Sequence, residues 1–151
     1  MRFLNFLWNK KPLSKKEESA IVSEIKDAES RTSAEIRLHI GKLLIDNNAL
    51  ETAKFIFTKT GMDNTIERNG VLIFISLKER KFAILGDEGI NKKVGENYWA
   101  DIKNEMQVLF ENQRIIEGLT HGIKKIGEKL ALHFPPGIEN PNELSDEISL
   151  D

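Results

Sequence analysis

The feature that most constrains the fold is an almost entirely apolar run at residues 71–77, VLIFISL. The run is rich in β-branched and aromatic side chains and lacks the polar–apolar alternation of a half-exposed strand. Such a run is typical of a strand whose two faces are both covered. The sequence therefore predicts a buried central strand with other elements packed on both sides of its sheet.

A second strand is predicted at residues 35–40, where Ile36, Leu38 and Ile40 alternate with Glu35, Arg37 and His39. Between the two strands lies a helical segment that Asn48 can cap and that ends near Gly61. A strand–helix–strand order favours a parallel pair of strands. The central strand then turns through the charged residues 78–80 into an antiparallel strand at residues 81–85.

Helices are predicted before and after these strands. The first begins at Ser14, which has capping-box spacing with Glu17, and two later ones follow from apolar periodicity at residues 96–111 and 116–134. Pro135 and Pro136 stop the last helix. The predicted fold is a three-layer α/β/α sandwich with a small mixed β-sheet and helices on both faces, formed by residues 14–134 as one domain.

The two ends differ from this domain in composition. Residues 1–13 begin MRFLNFLWNKK, and we expect this aromatic and basic segment to pack on the domain or to fray; contact with a membrane surface is the alternative. Residues 135–151 carry five acidic residues and no Lys or Arg, so we predict a disordered acidic tail.

Composition narrows the function. The absence of cysteine excludes disulfides, thiolate metal ligands and cysteine nucleophiles, and fits a reducing compartment such as the cytoplasm. The net charge of −2 is too weakly patterned for a phosphate-tracking surface, so nucleic acid is not expected as a partner. No apolar run approaches the roughly 20 residues of a transmembrane segment. We expect a soluble monomer.

The candidate metal site is the glycine-flanked loop at residues 86–89. Asp87 and Glu88 follow the end of a strand, where ligands commonly bind in open α/β sheets, and they offer the oxygens that Ca²⁺ or Mg²⁺ prefers. Asp63, which precedes the central strand, is the third candidate ligand. Because a full shell needs about six oxygens, the favoured alternative is a tight turn in which Asp87 or Glu88 caps a short helix.

For the other candidate functional residues, we favour a structural role. Glu35 and His39 have the chemistry for acid–base work, but such residues more often form cross-strand pairs. Tyr98 and Trp99 would line a pocket beside the glycine loop, although Trp99 falls on a core stripe. The chain has no dinucleotide-binding or phosphate-binding glycine motif, no Gly-x-Ser-x-Gly elbow and no His-Glu-x-x-His, so no catalytic residue is assigned.

Three strings, SAEIRLHI, ERNGVLIFISLKERKFAILGDEGI and EGLTHGIKKIGEKLALHF, are together similar to the TPM domain over roughly residues 14–134. The resemblance implies an α/β/α sandwich and a short intracellular bacterial form of the family. Some relatives are described as divalent-cation binders with weak acid phosphatase activity, and others help to assemble or maintain membrane complexes. This sequence has Arg68-Asn69-Gly70 where many relatives have Asp-Asn-Gly, and its glycine loop has two acids in place of an aromatic residue.

Two functions follow as hypotheses. The first is a non-catalytic interaction or assembly module for a protein partner associated with a membrane, because no catalytic motif is present and both loops depart from the family pattern. The alternative is a weak acid phosphatase that depends on Ca²⁺ or Mg²⁺, with Asp87, Glu88 and Asp63 as metal ligands.

Overall fold

The computed structural model describes residues 13–137 and 146–151. In chain order, the elements are α1 Lys15–Glu29, β1 Glu35–Gly41, α2 Ala49–Lys59, β2 Gly70–Ser76, β3 Lys81–Gly86, α3 Glu88–Val94, α4 Ala100–Glu111, α5 Ile115–His133 and β4 Ser149–Leu150. Short 3₁₀ turns at Ile45–Asn47 and Glu96–Trp99 precede α2 and α4. None of the helices within these described ranges has the length and apolar character to cross a membrane.

The sheet has the strand order β3-β2-β1-β4. β1 and β2 are parallel, with Ile36 opposite Val71, and β3 pairs antiparallel with β2, so the predicted mixed sheet is confirmed. Every residue of β2 is buried, which is the position that its unbroken apolar sequence predicts.

Helices cover both faces of the sheet, so the predicted α/β/α fold class is confirmed. The larger core joins α1, α4 and α5 to the apolar face of β1, including Ile36 and Leu38. The smaller core joins α2 to the opposite face of the sheet, including Leu72 and Phe74. The two faces of β2 thus belong to different cores, because successive side chains of a strand point to opposite sides.

The first two helices begin as the sequence predicts. The Ser14 hydroxyl accepts a hydrogen bond from the Glu17 amide (3.1 Å), while the Glu17 carboxylate accepts one from the Ser14 amide (2.9 Å). The Asn48 side chain accepts a hydrogen bond from the Glu51 amide (3.0 Å). These caps satisfy backbone N–H groups that the first helical turn leaves unpaired.

The end of the acidic tail departs from the prediction of disorder. Residues 149–150 form β4, which lies parallel to β1 with Ser149 opposite His39 and Leu150 opposite Ile40. Ile148 also packs against the larger core. These contacts to β1 and the core give the end of the tail an ordered position despite its polar composition. The predictions of packing, fraying or membrane contact for residues 1–12 and of disorder for residues 138–145 lie outside the described residues.

Candidate functional site

The loop that follows β3 is organised around the buried carboxylate of Asp87, which is 6% exposed. Asp87 caps α3, and its Oδ1 accepts a hydrogen bond from the Glu88 amide (2.8 Å). Both oxygens of the same carboxylate also accept hydrogen bonds from Arg68, through Nε (2.8 Å) and Nη2 (2.9 Å). The carboxylate therefore serves a helix cap and a two-pronged ion pair at once.

Arg68 pairs with two of the three predicted metal ligands, Asp87 and Glu88. Its Nη1 lies 3.3 Å from Oε1 of Glu88. The hydrogen bond to Asp87 raises the pKa of Arg68 above its ordinary value, and the negative charges of Asp87, Glu88 and Asp63 raise it further. The structure thus places an arginine guanidinium against Asp87 and Glu88, where the sequence suggested a metal ion. Asp63 acts on this group only through its charge.

The segment that presents Arg68 is held by tight backbone packing. The Gly89 amide donates to the carbonyl oxygen of Arg68 (2.9 Å). A Cβ atom at Gly89 would lie only 2.1 Å from the carbonyl oxygen of Glu67, so no larger residue fits without displacing that segment. Asn69 is fully buried, and its side-chain Nδ2 donates hydrogen bonds to Ser33 Oγ and Glu67 Oε2, both at 3.3 Å. The second glycine of the loop thus has a packing role.

A second acidic cluster joins Glu29, Glu35 and Asp146, with one carboxylate oxygen from each lying within 4.8 Å of the others. Oε2 of Glu29 accepts a hydrogen bond from the Ile36 amide (2.7 Å). Burial, the hydrogen bond with Asp146 and the charge of Glu35 raise the pKa of Glu29 to about 10. Glu29 is therefore neutral at pH 7, which lowers the repulsion among the three carboxyl groups.

This cluster was not predicted. Glu29 ends α1 and Glu35 begins β1, whereas Asp146 lies more than a hundred positions further along, just before β4. No sequence-spacing motif could identify this cluster, because Asp146 reaches the other two acids only when the tail docks beside β1. Geometrically, the cluster is a set of oxygen ligands of the kind that hard divalent cations bind.

His39, a candidate for acid–base work, holds the tail instead. It is 3% exposed, and its Nδ1 lies 2.7 Å from Ser149 Oγ. Its Nε2 is within hydrogen-bonding distance of Asp151 Oδ1, and Oδ2 of Asp151 accepts from the Lys42 amide (2.7 Å). Both ring nitrogens are thereby occupied by residues of the tail. These contacts match the favoured structural reading of His39.

A groove of about 620 Å³ runs along the outer edge of β3. Its lining includes no acidic residue, but it has three lysines and four asparagines: Lys54, Lys81, Lys103, Asn47, Asn48, Asn91 and Asn97. Trp99, which is 5% exposed and part of the larger core, also borders it. The groove is therefore a basic and amide-rich surface beside an edge strand.

Residues 9–129 match the model of the TPM domain family. The chain belongs to the TPM-domain family. The BA42 protein of the psychrophilic bacterium Bizionia argentinensis, solved by NMR, is 39% identical, with a TM-score of 0.85 over 92% of this chain and 95% of that one. No curated protein matches the chain.

A second solved structure has the same fold at low identity. It is the N-terminal domain of a P. gingivalis protein, 16% identical, with a TM-score of 0.65 over 84% of this chain and 83% of that one. In the present TPM domain, Arg68 stands at the position where the sequence resemblance implies an acid before Asn-Gly. The metal set of Asp87, Glu88 and Asp63 stays a prediction.

Two polar loops of this TPM domain lie at opposite ends of the sheet. Gly41 pairs with Ser76 at one end of the parallel strands, and the oxygen-rich loop at residues 46–48 follows that end. Gly86 pairs with Val71 at the opposite end. The two loops therefore cannot contribute to one site, whereas Arg68 and Asp87 meet because the chain enters β2 beside the point where it leaves β3.

Proposed function

We propose that this TPM domain is a non-catalytic interaction module that binds a protein partner along the outer edge of β3. The observation that carries the proposal is the lysine-lined groove at that edge. The expected partner is a membrane-associated protein, and the expected compartment is the cytoplasm. In this role the domain brings a partner to a complex and transforms no substrate.

The two edges of the sheet support this choice of surface. β4 covers part of the outer edge of β1, and the Asp151 amide donates to the Ile40 carbonyl oxygen (3.3 Å). β3 has no further strand beside it among the described residues. Unpaired strand edges are surfaces on which another chain can pair.

Site-specific photocrosslinking in the native host tests the proposal. A photoreactive residue is placed at Leu50 or Lys103, which line the groove, and at Lys16 on α1 as a control. The expected result is a discrete adduct in the membrane fraction from the groove positions alone. If the groove positions gave no adduct, or if Lys16 gave the same adduct, the proposal that a partner binds at the β3 edge would be refuted.

A divalent-cation-dependent acid phosphatase is the second candidate, and the carboxylate cluster of Glu29, Glu35 and Asp146 favours it. Mg²⁺ and Ca²⁺ titrations followed by amide shifts, together with phosphatase assays, distinguish the possible sites. Saturable shifts lost in Glu35→Gln would assign the ion to that cluster. Shifts lost in Asp87→Asn would assign it to the glycine loop, and flat titrations with no hydrolysis would exclude this function.

A further inference from the structure

The geometry of the β3 edge points to the kind of segment that binds there. We infer that the groove takes an extended, acidic peptide segment, which adds to the sheet as a strand beside β3. This inference rests on the proposed interaction function and names the class of partner. It follows from the direction of the backbone groups of β3 and from the placement of the surrounding lysines.

The outward backbone groups of β3 are identified by its pairing. The Asp87 amide donates to the Gly70 carbonyl oxygen (2.9 Å), which continues the register that pairs Gly86 with Val71. Backbone groups in an antiparallel pair alternate in direction, so those of Phe82 and Ile84 point away from β2. No hydrogen bond from another described residue reaches these groups.

This open stretch has a defined length. The carbonyl oxygen of Gly86, the next outward residue, accepts a hydrogen bond from Asn91 Nδ2 (3.4 Å), which closes that end of the edge. Phe82 and Ile84 together present two N–H and two C=O groups. An added strand would therefore gain up to four main-chain hydrogen bonds, as in other cases of strand addition.

Positive charge flanks this stretch on both faces of the sheet. On the α2 side, Lys81 shares its strand face with Ala83 of the smaller core, and Lys54 projects from α2. On the other side, the ammonium of Lys103 lies 5.9 Å from the ring centre of Phe82, which belongs to the larger core. Successive side chains of an added strand would face these lysines alternately, so a segment with neighbouring acids matches best.

The present contacts of these lysines are weak enough to exchange. Lys54 lies 3.4 Å from Glu51, and both side chains are more than half exposed. The Lys81 ammonium donates to the carbonyl oxygen of Asn47 (3.1 Å), an uncharged acceptor. Exposed pairs of this kind are worth little, so carboxylates of a bound segment would replace them without a large penalty.

The test uses the isotope-labelled full chain and a blocked seven-residue peptide of glutamate, valine and threonine with acids on both faces of an extended strand. We expect saturable shifts and slowed hydrogen exchange at the amides of Phe82 and Ile84. Replacement of glutamate by lysine in the peptide should abolish binding. The double change Lys81→Glu and Lys103→Glu should weaken binding at least tenfold, whereas Lys16→Glu should not affect it.

A third peptide, N-methylated at the amides that would face β3, separates strand addition from simple charge attraction. A loss of affinity of tenfold or more supports the added strand. Equal binding of the methylated peptide would overturn the inference while leaving the groove as an interaction surface. Binding that is unchanged by the lysine substitutions would overturn it in the same way. Absence of saturable shifts also overturns it. Peptide binding without any groove crosslink in cells would instead refute the proposed function.

Discussion

Arg68 and Asp87 lie 19 residues apart in the chain and meet through two hydrogen bonds of 2.8 and 2.9 Å. The pair joins the segment that enters β2 to the first turn of α3. The guanidinium also reaches Glu88, so one positive group forms ion pairs with two neighbouring acids. In this member of the family, a side chain therefore supplies the cation beside the glycine loop.

Replacing that side chain by an acid should make the loop depend on a metal ion. Arg68→Asp puts a third carboxylate beside Asp87 and Glu88, which should repel one another until Ca²⁺ or Mg²⁺ binds. We expect millimolar Ca²⁺ to raise the Tm of this variant by at least about 3 °C, the effect of about 1 kcal/mol in a chain of this size. Arg68→Ala is the control, and an equal response in both variants would contradict the idea.

Gly89 should tolerate no side chain. In Gly89→Ala the new Cβ would collide with the Glu67 carbonyl oxygen, 2.1 Å away. We expect a loss of about 1–3 kcal/mol in the free energy of unfolding, typical of overpacking, with amide shifts spreading to Arg68 and Asn69. Urea denaturation measures the loss. Lys92→Ala on the same helix is exposed and should stay within about 0.5 kcal/mol of the wild type; similar values for the two variants would refute the packing role.

Glu29 should make stability depend on pH. Because its folded pKa of about 10 lies above the ordinary value of 4.5, folding holds a proton that the unfolded chain releases between those values. Its contribution is complete below pH 4.5 and declines as the pH rises towards 10, with a slope of at most about 1.4 kcal/mol per pH unit. Glu29→Gln, which resembles the protonated carboxyl, should flatten this decline and be more stable than the wild type at pH 9.

Urea denaturation at pH 5, 7 and 9 measures the effect of Glu29→Gln. Glu18→Gln, an exposed change of the same chemistry on the same helix, provides the control and should follow the wild-type curve. Parallel curves for Glu29→Gln and the wild type would show that Glu29 is charged in the folded protein.

The docking of residues 149–151 beside β1 should depend on the Asp151 side chain. Asp151→Ala removes the acceptor for the Lys42 amide and the contact with buried His39. The Asp151 amide donates to the Ile40 carbonyl oxygen, so in this parallel pair the Ser149 amide also faces β1, whereas that of Leu150 faces away. We expect the amide of Ser149 to exchange faster with solvent and the free energy of unfolding to fall by about 1 kcal/mol. Hydrogen exchange followed by NMR measures both effects. Unchanged protection at Ser149 would show that backbone pairing alone holds β4.

Most of the framework was predictable from local patterns. The run at residues 71–77 indicated a strand buried on both faces, and the alternation around Ile36 and Leu38 indicated a strand with one apolar face. The caps at Ser14 and Asn48 marked where helices begin. These signals can be recognised in the sequence because each one depends on residues that are close together in the chain.

Only the tertiary structure decided the sites. The sequence by itself determined that Asp87 and Glu88 follow a strand, but the return of β3 beside the entry to β2 is what presents them to Arg68. The same holds for Glu29, Glu35 and Asp146, which meet because the tail docks beside β1. The burial and charge of these side chains depend on contacts between segments that are distant in the chain. Such contacts produce no periodic pattern of residue types in the sequence.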